Sequence, residues 1–244
     1  MNGPALAVVA ALATSCSATP PEEAATCESL PEARLVRPQC GPTLDLTPIN
    51  RYGGAIAGVQ EREEAIVLIN GTCTGTLIAA SDGPVVITAG HCVGLEDTAL
   101  VAFNVEDEPD GEQLATSGVV IERAEVPDYA LLELDELPDD VTPVSLTTGA
   151  TDLLAIIQHP RGAPKVVAEG RFLDTCGDAI LLYGDLDTLV GSSGAGVLNQ
   201  QGHLLGIHAG GDCNEDGGGS NRGWSARSVV QASEHLRDDD IAER

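Results

Sequence analysis

Three short stretches of this chain hold the residue types that acyl-transfer chemistry needs. His91 closes the run Val86-Ile87-Thr88-Ala89-Gly90-His91-Cys92, and Asp128 opens the run Asp128-Tyr129-Ala130-Leu131-Leu132-Glu133-Leu134. Ser193 sits among glycines in Gly191-Ser192-Ser193-Gly194-Ala195-Gly196-Val197. A serine hydroxyl is a weak nucleophile at neutral pH and needs a base within hydrogen-bond reach. An imidazole can take that proton and later return it to the leaving group. A carboxylate behind the imidazole holds its tautomer and stabilises its cation. Glycines around the serine let backbone N–H groups converge on a developing oxyanion, where one lost donor costs roughly 3–4 kcal/mol of barrier. Each stretch alone is weak, since Gly-Ser-Ser-Gly is usually a loop, a turn histidine is ordinary and acidic residues are plentiful. In the order His, Asp, Ser, within one domain's length, they predict a nucleophilic hydrolase.

The elements that must position these residues are short and β-like. From Gly53 onward, apolar runs alternate with Gly, Pro, Asn and Asp. They include Ala65-Ile66-Val67-Leu68-Ile69, Thr76-Leu77-Ile78, Val85-Val86-Ile87 and Leu100-Val101-Ala102-Phe103. Val119-Val120-Ile121, Ala130-Leu131-Leu132, Leu153-Leu154-Ala155-Ile156-Ile157 and Leu204-Leu205-Gly206-Ile207 continue the series. Regular short strands with turn signals argue for barrels or a sandwich. One helix is expected from Ser225 to about Leu236, with Ser225 as N-cap and Val229, Val230 and Leu236 facing inward.

Composition narrows the partners. The 244 residues carry 12 Lys and Arg against 38 Asp and Glu, a formal charge of −26. Such a chain is repelled by nucleic acid and by anionic lipid, so neither is expected as a partner. Aromatic residues make up only 2% against 43% apolar, so the core must be built from Val, Ile, Leu and Ala. Ala5 to Ala13 is an apolar run far too short to span a bilayer, and no Lys or Arg precedes it. It ends in Leu12-Ala13-Thr14-Ser15-Cys16, which resembles a bacterial lipoprotein cleavage site. Residues 1–16 are therefore expected to be an export signal with Cys16 as a lipid anchor, simple cleavage after Ala13 being the alternative. Residues 17–52, rich in Pro, Glu and Ala, read as a tether or propeptide.

Removing Cys16 from seven cysteines leaves six, Cys27, Cys40, Cys73, Cys92, Cys176 and Cys213, with fifteen connectivities. Export makes disulfides the default. Cys73 with Cys92 would clip the strand before the histidine turn to the turn itself. Cys176 with Cys213 and Cys27 with Cys40 complete the expected set. No Cys-x-x-Cys pair exists, so no zinc site is expected. Asp212-Cys213-Asn214-Glu215-Asp216-Gly217 imitates the start of a calcium loop, but its twelfth position is Gly223, so a solvated turn is expected. Asp238-Asp239-Asp240 reads as a solvated helix end.

Residues 53 to about 236 resemble the trypsin-like (chymotrypsin-fold) serine peptidases, most closely the bacterial glutamyl-endopeptidase branch. The resemblance implies an all-β protein of two antiparallel six-stranded β-barrels with a short C-terminal helix, the first over 53–140 and the second over 141–244. It implies an exported, monomeric serine endopeptidase working through an acyl-enzyme, without cofactor or metal, on peptide or protein substrates. His91, Asp128 and Ser193 would be the triad, with the amides of Gly191 and Ser193 as oxyanion donors. Ser192 stands where vertebrate-type trypsins carry the Asp that pairs with the new N-terminus, so that activation switch is absent in its usual form. Ala195-Gly196 replaces the common Gly-Pro or Ser-Pro, and Ala209 replaces a serine that supports the catalytic Asp in many trypsins. Pocket signals conflict. Asp187 matches a trypsin pocket carboxylate that favours Arg or Lys, whereas Thr188 and His208 match the branch that binds glutamate. Two other classes of function stay open: an inactive peptidase-fold module that captures peptides by strand addition, and an esterase on the same fold.

Overall fold

The computed structural model describes residues 39–94 and 98–242; the export signal over 1–16, Cys16, Cys27 and most of the expected tether lie outside the described residues. The first barrel is built from β2 (Ile66–Ile69), β3 (Cys73–Ile78), β4 (Val85–Thr88), β5 (Thr98–Phe103), β6 (Ala115–Glu125) and β7 (Asp128–Leu134). These strands close in the order β2-β3-β4-β7-β6-β5, every pairing antiparallel. The second uses β8 (Leu153–Gln158), β9 (Val166–Cys176), β10 (Ile180–Gly184), β11 (Gly196–Asn199), β12 (Leu204–Gly211) and β13 (Asn221–Ser225). Its order is β9-β10-β13-β12-β11-β8, and the β8–β9 pairing closes the ring. The protein is thus a chymotrypsin-like double barrel of two closed six-stranded antiparallel β-barrels.

The runs expected to be strands are strands, because aliphatic side chains fill the small interiors: Val67, Ile69, Val86, Val101 and Leu132 are sealed inside the first barrel, and Leu154, Ile156 and Val197 inside the second. Residues 39–52, placed by sequence with the tether, fold against the second barrel. There a two-residue strand, β1 (Thr47–Pro48), pairs with β9, and Ile49 and Tyr52 are buried. A five-residue helix that the sequence pattern does not signal, α1 (Gly58–Arg62), precedes β2 and buries Val59. The C-terminal helix α2 spans Ala226–Ala232, and the Ser225 hydroxyl caps it by accepting from Ser228 N–H. It stops short of Leu236 because the Ser233 hydroxyl accepts from the His235 and Leu236 amides, a local alternative to helical bonding. Leu236 is nonetheless buried.

Polar contacts also join parts of the chain far apart in sequence. Lys165, ahead of β9, is fully buried and its ammonium meets Glu63 and Glu106 of the first barrel, the latter at 2.7 Å. The run Asp238–Asp240 has no buried residue, in keeping with a solvated end, and Asp240 accepts from the Ser81 amide at 2.6 Å, which ties this segment to the first barrel.

Candidate active site

β4 delivers His91 into a tight turn, Gly90–Cys92. Glycine is required at position 90, since a Cβ there would lie 2.5 Å from the Ala124 carbonyl and 2.8 Å from Asp128 Oδ1. That close approach puts Asp128, first residue of β7, against the turn. One carboxylate oxygen accepts the His91 backbone N–H at 3.0 Å, and the other meets His91 Nδ1 at 2.6 Å. This bond, helped by the carboxylate's charge, raises the His91 pKa despite partial burial and the opposing Arg123 cation. Arg123 Nε in turn donates to the Gly90 carbonyl at 2.7 Å. The imidazole is half exposed.

Ser193 comes from the opposite barrel on the Gly191–Gly194 loop. Gly194 has φ +81°, and a Cβ would strike Thr88 Oγ1 at 2.2 Å and the Thr74 carbonyl at 2.4 Å. The loop therefore packs directly on the first barrel. The Ser193 carbonyl accepts from Thr74 N–H at 3.0 Å and lies 3.7 Å from Sγ of Cys92, the neighbour of His91. Among the described residues the Ser193 hydroxyl makes no hydrogen bond to His91, so the third link of the expected relay is not closed in this state. Apo catalytic bonds commonly tighten only with substrate bound.

Neither the Gly191 nor the Ser193 amide has an acceptor among the described residues, and both planes are pinned from behind. The Val190 carbonyl accepts from Arg161 N–H at 2.6 Å and the Ser192 carbonyl from Ala195 N–H at 3.0 Å. Across a trans peptide the N–H points opposite to the C=O, so both free N–H groups face away from these anchors. Gly191 has φ +101° and no room for a Cβ, which would meet Arg161 N at 2.6 Å.

The pocket residues divide. Asp187 is buried, yet its carboxylate turns away and accepts the backbone amides of Cys40, at 2.7 Å, and Asp45. The carboxylate that would draw Arg or Lys is thus spent on the backbone of the 39–45 segment. His208 is buried beside Tyr183, whose hydroxyl is 2.6 Å from His208 Nδ1 and donates to the Arg222 carbonyl at 3.1 Å. Burial, with the His91 and Arg222 cations, pushes the His208 pKa down to about 3, so it is neutral at working pH. Thr188 donates to Asn221 Oδ1 at 3.3 Å. Ser192 is sealed in: its hydroxyl donates to Gln158 Oε1 and accepts from Leu189 N–H at 2.9 Å, while Gln158 Nε2 donates to the Asp187 carbonyl at 2.7 Å. A neutral Ser–Gln brace thus holds the loop where vertebrate-type trypsins use a charged pair.

Cys73 and Cys92 are bonded, with Cα atoms 6.0 Å apart, joining β3 to the histidine turn. The other expected pairings are corrected. Cys213 is bonded to Cys40, not Cys176, across 173 residues of sequence, because the 39–45 segment runs over the β12–β13 loop. Cys176 is disulfide-bonded elsewhere. The Asp212–Ser220 loop is a self-bonded turn in which Asp212 and Asn214 side chains accept backbone amides. Sequence reading missed Thr74, Gln158, Tyr183 and Asn221, whose types carry no motif and which matter only through partners distant in sequence.

Residues 73–207, more than half of the chain, match the model of the trypsin-like peptidase domain. The chain belongs to that family. No curated protein matches it. Its fold is similar to that of a serine endoprotease from Yersinia pestis, with 17% identity, a TM-score of 0.61 and 78% of this chain covering 69% of that one. It is also similar to the Rv3671c protease in its inactive form, from M. tuberculosis, with 18% identity, a TM-score of 0.57 and 78% against 96% covered. The MamO protease domain of Magnetospirillum magneticum gives 16% identity, a TM-score of 0.55 and 71% against 97% covered.

Proposed function

We propose that this protein is an exported serine endopeptidase in which Ser193 attacks the scissile carbonyl. His91 takes the serine proton and returns it to the leaving amine, and Asp128 holds His91 with its Nε2 lone pair toward the serine. The amides of Gly191 and Ser193 bind the oxyanion, and water then hydrolyses the acyl-enzyme. The observation that carries this reading is the two-point grip of Asp128 on His91, together with a glycine-bounded serine loop whose Gly191 and Ser193 amides have no acceptor among the described residues. Two disulfides among the described residues support an oxidising compartment, in keeping with export.

The pocket favours hydrogen-bonding, acidic side chains over basic ones. Asp187 is occupied by two backbone amides, which removes the carboxylate that would draw Arg or Lys. His208 has Nδ1 engaged by Tyr183 and leaves Nε2 without a protein partner among the described residues. With the Tyr183 hydroxyl spent on the Arg222 carbonyl, neutral His208 carries its proton on Nδ1, and Nε2 becomes a donor only on protonation, which a bound glutamate favours against burial, so cleavage after Glu relative to Gln should grow as pH falls. This is the specificity of the glutamyl-endopeptidase branch, reached here from the orientation of Asp187.

Fluorophosphonate labelling tests the activated serine: wild type should label and Ser193→Ala should not. Matched Glu, Gln, Lys and Leu peptides then test the pocket and separate peptidase from esterase. An unlabelled wild type would favour the peptide-binding module. Preference for Lys would refute the pocket reading alone.

A further inference from the structure

We propose that Thr74, a first-barrel residue, is a positioning residue for the oxyanion loop of the second; this rests on the reading of the Gly191 and Ser193 amides as the oxyanion donors. Thr74 lies on β3, next to Cys73 of the disulfide that ends beside His91. It is fully buried and makes four hydrogen bonds at the barrel interface. Its hydroxyl donates to the Gly191 carbonyl at 2.8 Å and accepts from His159 N–H at 2.9 Å. Its N–H donates to the Ser193 carbonyl at 3.0 Å, and its carbonyl accepts from the Thr88 hydroxyl at 2.7 Å.

One residue therefore holds the carbonyls of both oxyanion residues. The free N–H groups belong to the peptide planes before Gly191 and before Ser193; Thr74 fixes the planes that follow them. With the anchors on Val190 and Ser192, four successive carbonyls from Val190 to Ser193 are each held by a donor. No plane can then rotate without breaking a buried hydrogen bond. Gly191 is where rotation is easiest, because glycine tolerates both signs of φ, and the side-chain bond from Thr74 falls there.

The Thr74 hydroxyl gives one proton and receives one. A methyl in its place leaves the Gly191 carbonyl and the His159 amide buried without partners. Both groups can regain partners only by moving, and movement of Gly191 turns an oxyanion donor off its target. The threonine methyl has no part in this, so serine should substitute for it. Thr88 completes the link by holding the Thr74 carbonyl from β4, the strand that leads into the His91 turn. The two halves of the site, base and oxyanion hole, are thus registered through two threonines of adjacent strands.

The test compares Thr74→Val, which keeps shape and loses the hydroxyl, with Thr74→Ser, which keeps the hydroxyl. Peptide hydrolysis is measured with kcat taken per titrated serine, so an unfolded fraction does not enter. Thr74→Val should lower kcat about 10- to 100-fold, short of the 10²–10³ for outright loss of a donor, with KM within about threefold of wild type. Thr74→Ser should restore kcat to within about threefold. A purely structural role predicts loss of titratable sites with unchanged kcat per site, and that result overturns the proposal. So does a Thr74→Ser variant as slow as Thr74→Val. A wild type that neither labels nor hydrolyses would refute the peptidase reading and this assignment together; an active wild type with an unimpaired Thr74→Val refutes this assignment alone.

Discussion

Asp128→Asn changes one atom and should be among the most damaging substitutions in the protein. In the structure the two carboxylate oxygens do different things: Oδ1 accepts the His91 backbone N–H at 3.0 Å and Oδ2 faces Nδ1 at 2.6 Å. An amide in that position has one acceptor and one donor. The backbone N–H demands the acceptor, so the NH₂ group is driven onto the imidazole side. Nδ1 must then carry the lone pair and Nε2 the proton, which leaves Ser193 facing a nitrogen that cannot take its proton. Loss of the correct tautomer at such a site typically lowers kcat by roughly 10⁴, and at 1.36 kcal/mol per decade this is about 5 kcal/mol of barrier. A second consequence follows from charge. The carboxylate raises the His91 pKa, and only neutral His91 acts as base, so wild-type activity falls as pH drops through that raised value. In Asp128→Asn the raising interaction is gone, and the acid limb of kcat/KM should move to lower pH. Peptide hydrolysis across mildly acidic to mildly alkaline pH measures both effects, with labelling rate as an independent readout. Retention of more than a tenth of wild-type kcat, or an acid limb that stays in place, would refute the tautomer argument.

Two more substitutions probe the frame around the site. Ser192→Ala should keep fluorophosphonate labelling that Ser193→Ala loses, while stability drops by about 1–3 kcal/mol because Gln158 Oε1 and the Leu189 amide lose their shared partner. If Ser192→Ala were the silent one, the register of the nucleophile would be off by one. Lys165→Met should cost about 3–5 kcal/mol in denaturant unfolding, because Glu63 and Glu106 would stay buried with no counter-ion between the barrels. A loss below about 1 kcal/mol would mean that solvent reaches those carboxylates.

Much of this architecture is local and was readable along the chain. Apolar stretches such as Ile66–Ile69 and Val85–Thr88 announce strands because both faces are covered, one by the barrel interior and the other by the packing outside it, which calls for nearly continuous apolar character. Gly90 and Gly194 announce tight approaches because no other residue fits them. The Ser225 cap is likewise a matter of neighbours in sequence. β9 and β13 were not legible in the same way. Val166–Cys176 includes Glu169, Gly170, Arg171 and Asp174, and Asn221–Ser225 includes Arg222 and Gly223. Neither run has the apolar continuity of a strand, and both are strands because their ladder partners are already in place.

The sequence by itself determined which residues could do chemistry, since His91, Asp128 and Ser193 are each set in a local motif that forms its own turn or strand end. Tertiary structure alone decided what surrounds them. Asp187 could face substrate or backbone until the Cys40–Asp45 segment arrived to consume its carboxylate. Cys213 could pair with Cys176 or Cys40 until that same segment crossed the β12–β13 loop. Thr74 is one threonine among many until β3 brings it under the Gly191–Ser193 loop. The physical reason is common to all three. A motif states the shape of its own backbone, whereas a hydrogen-bond or disulfide partner more than a hundred residues away is chosen by closure of the second barrel and its docking on the first.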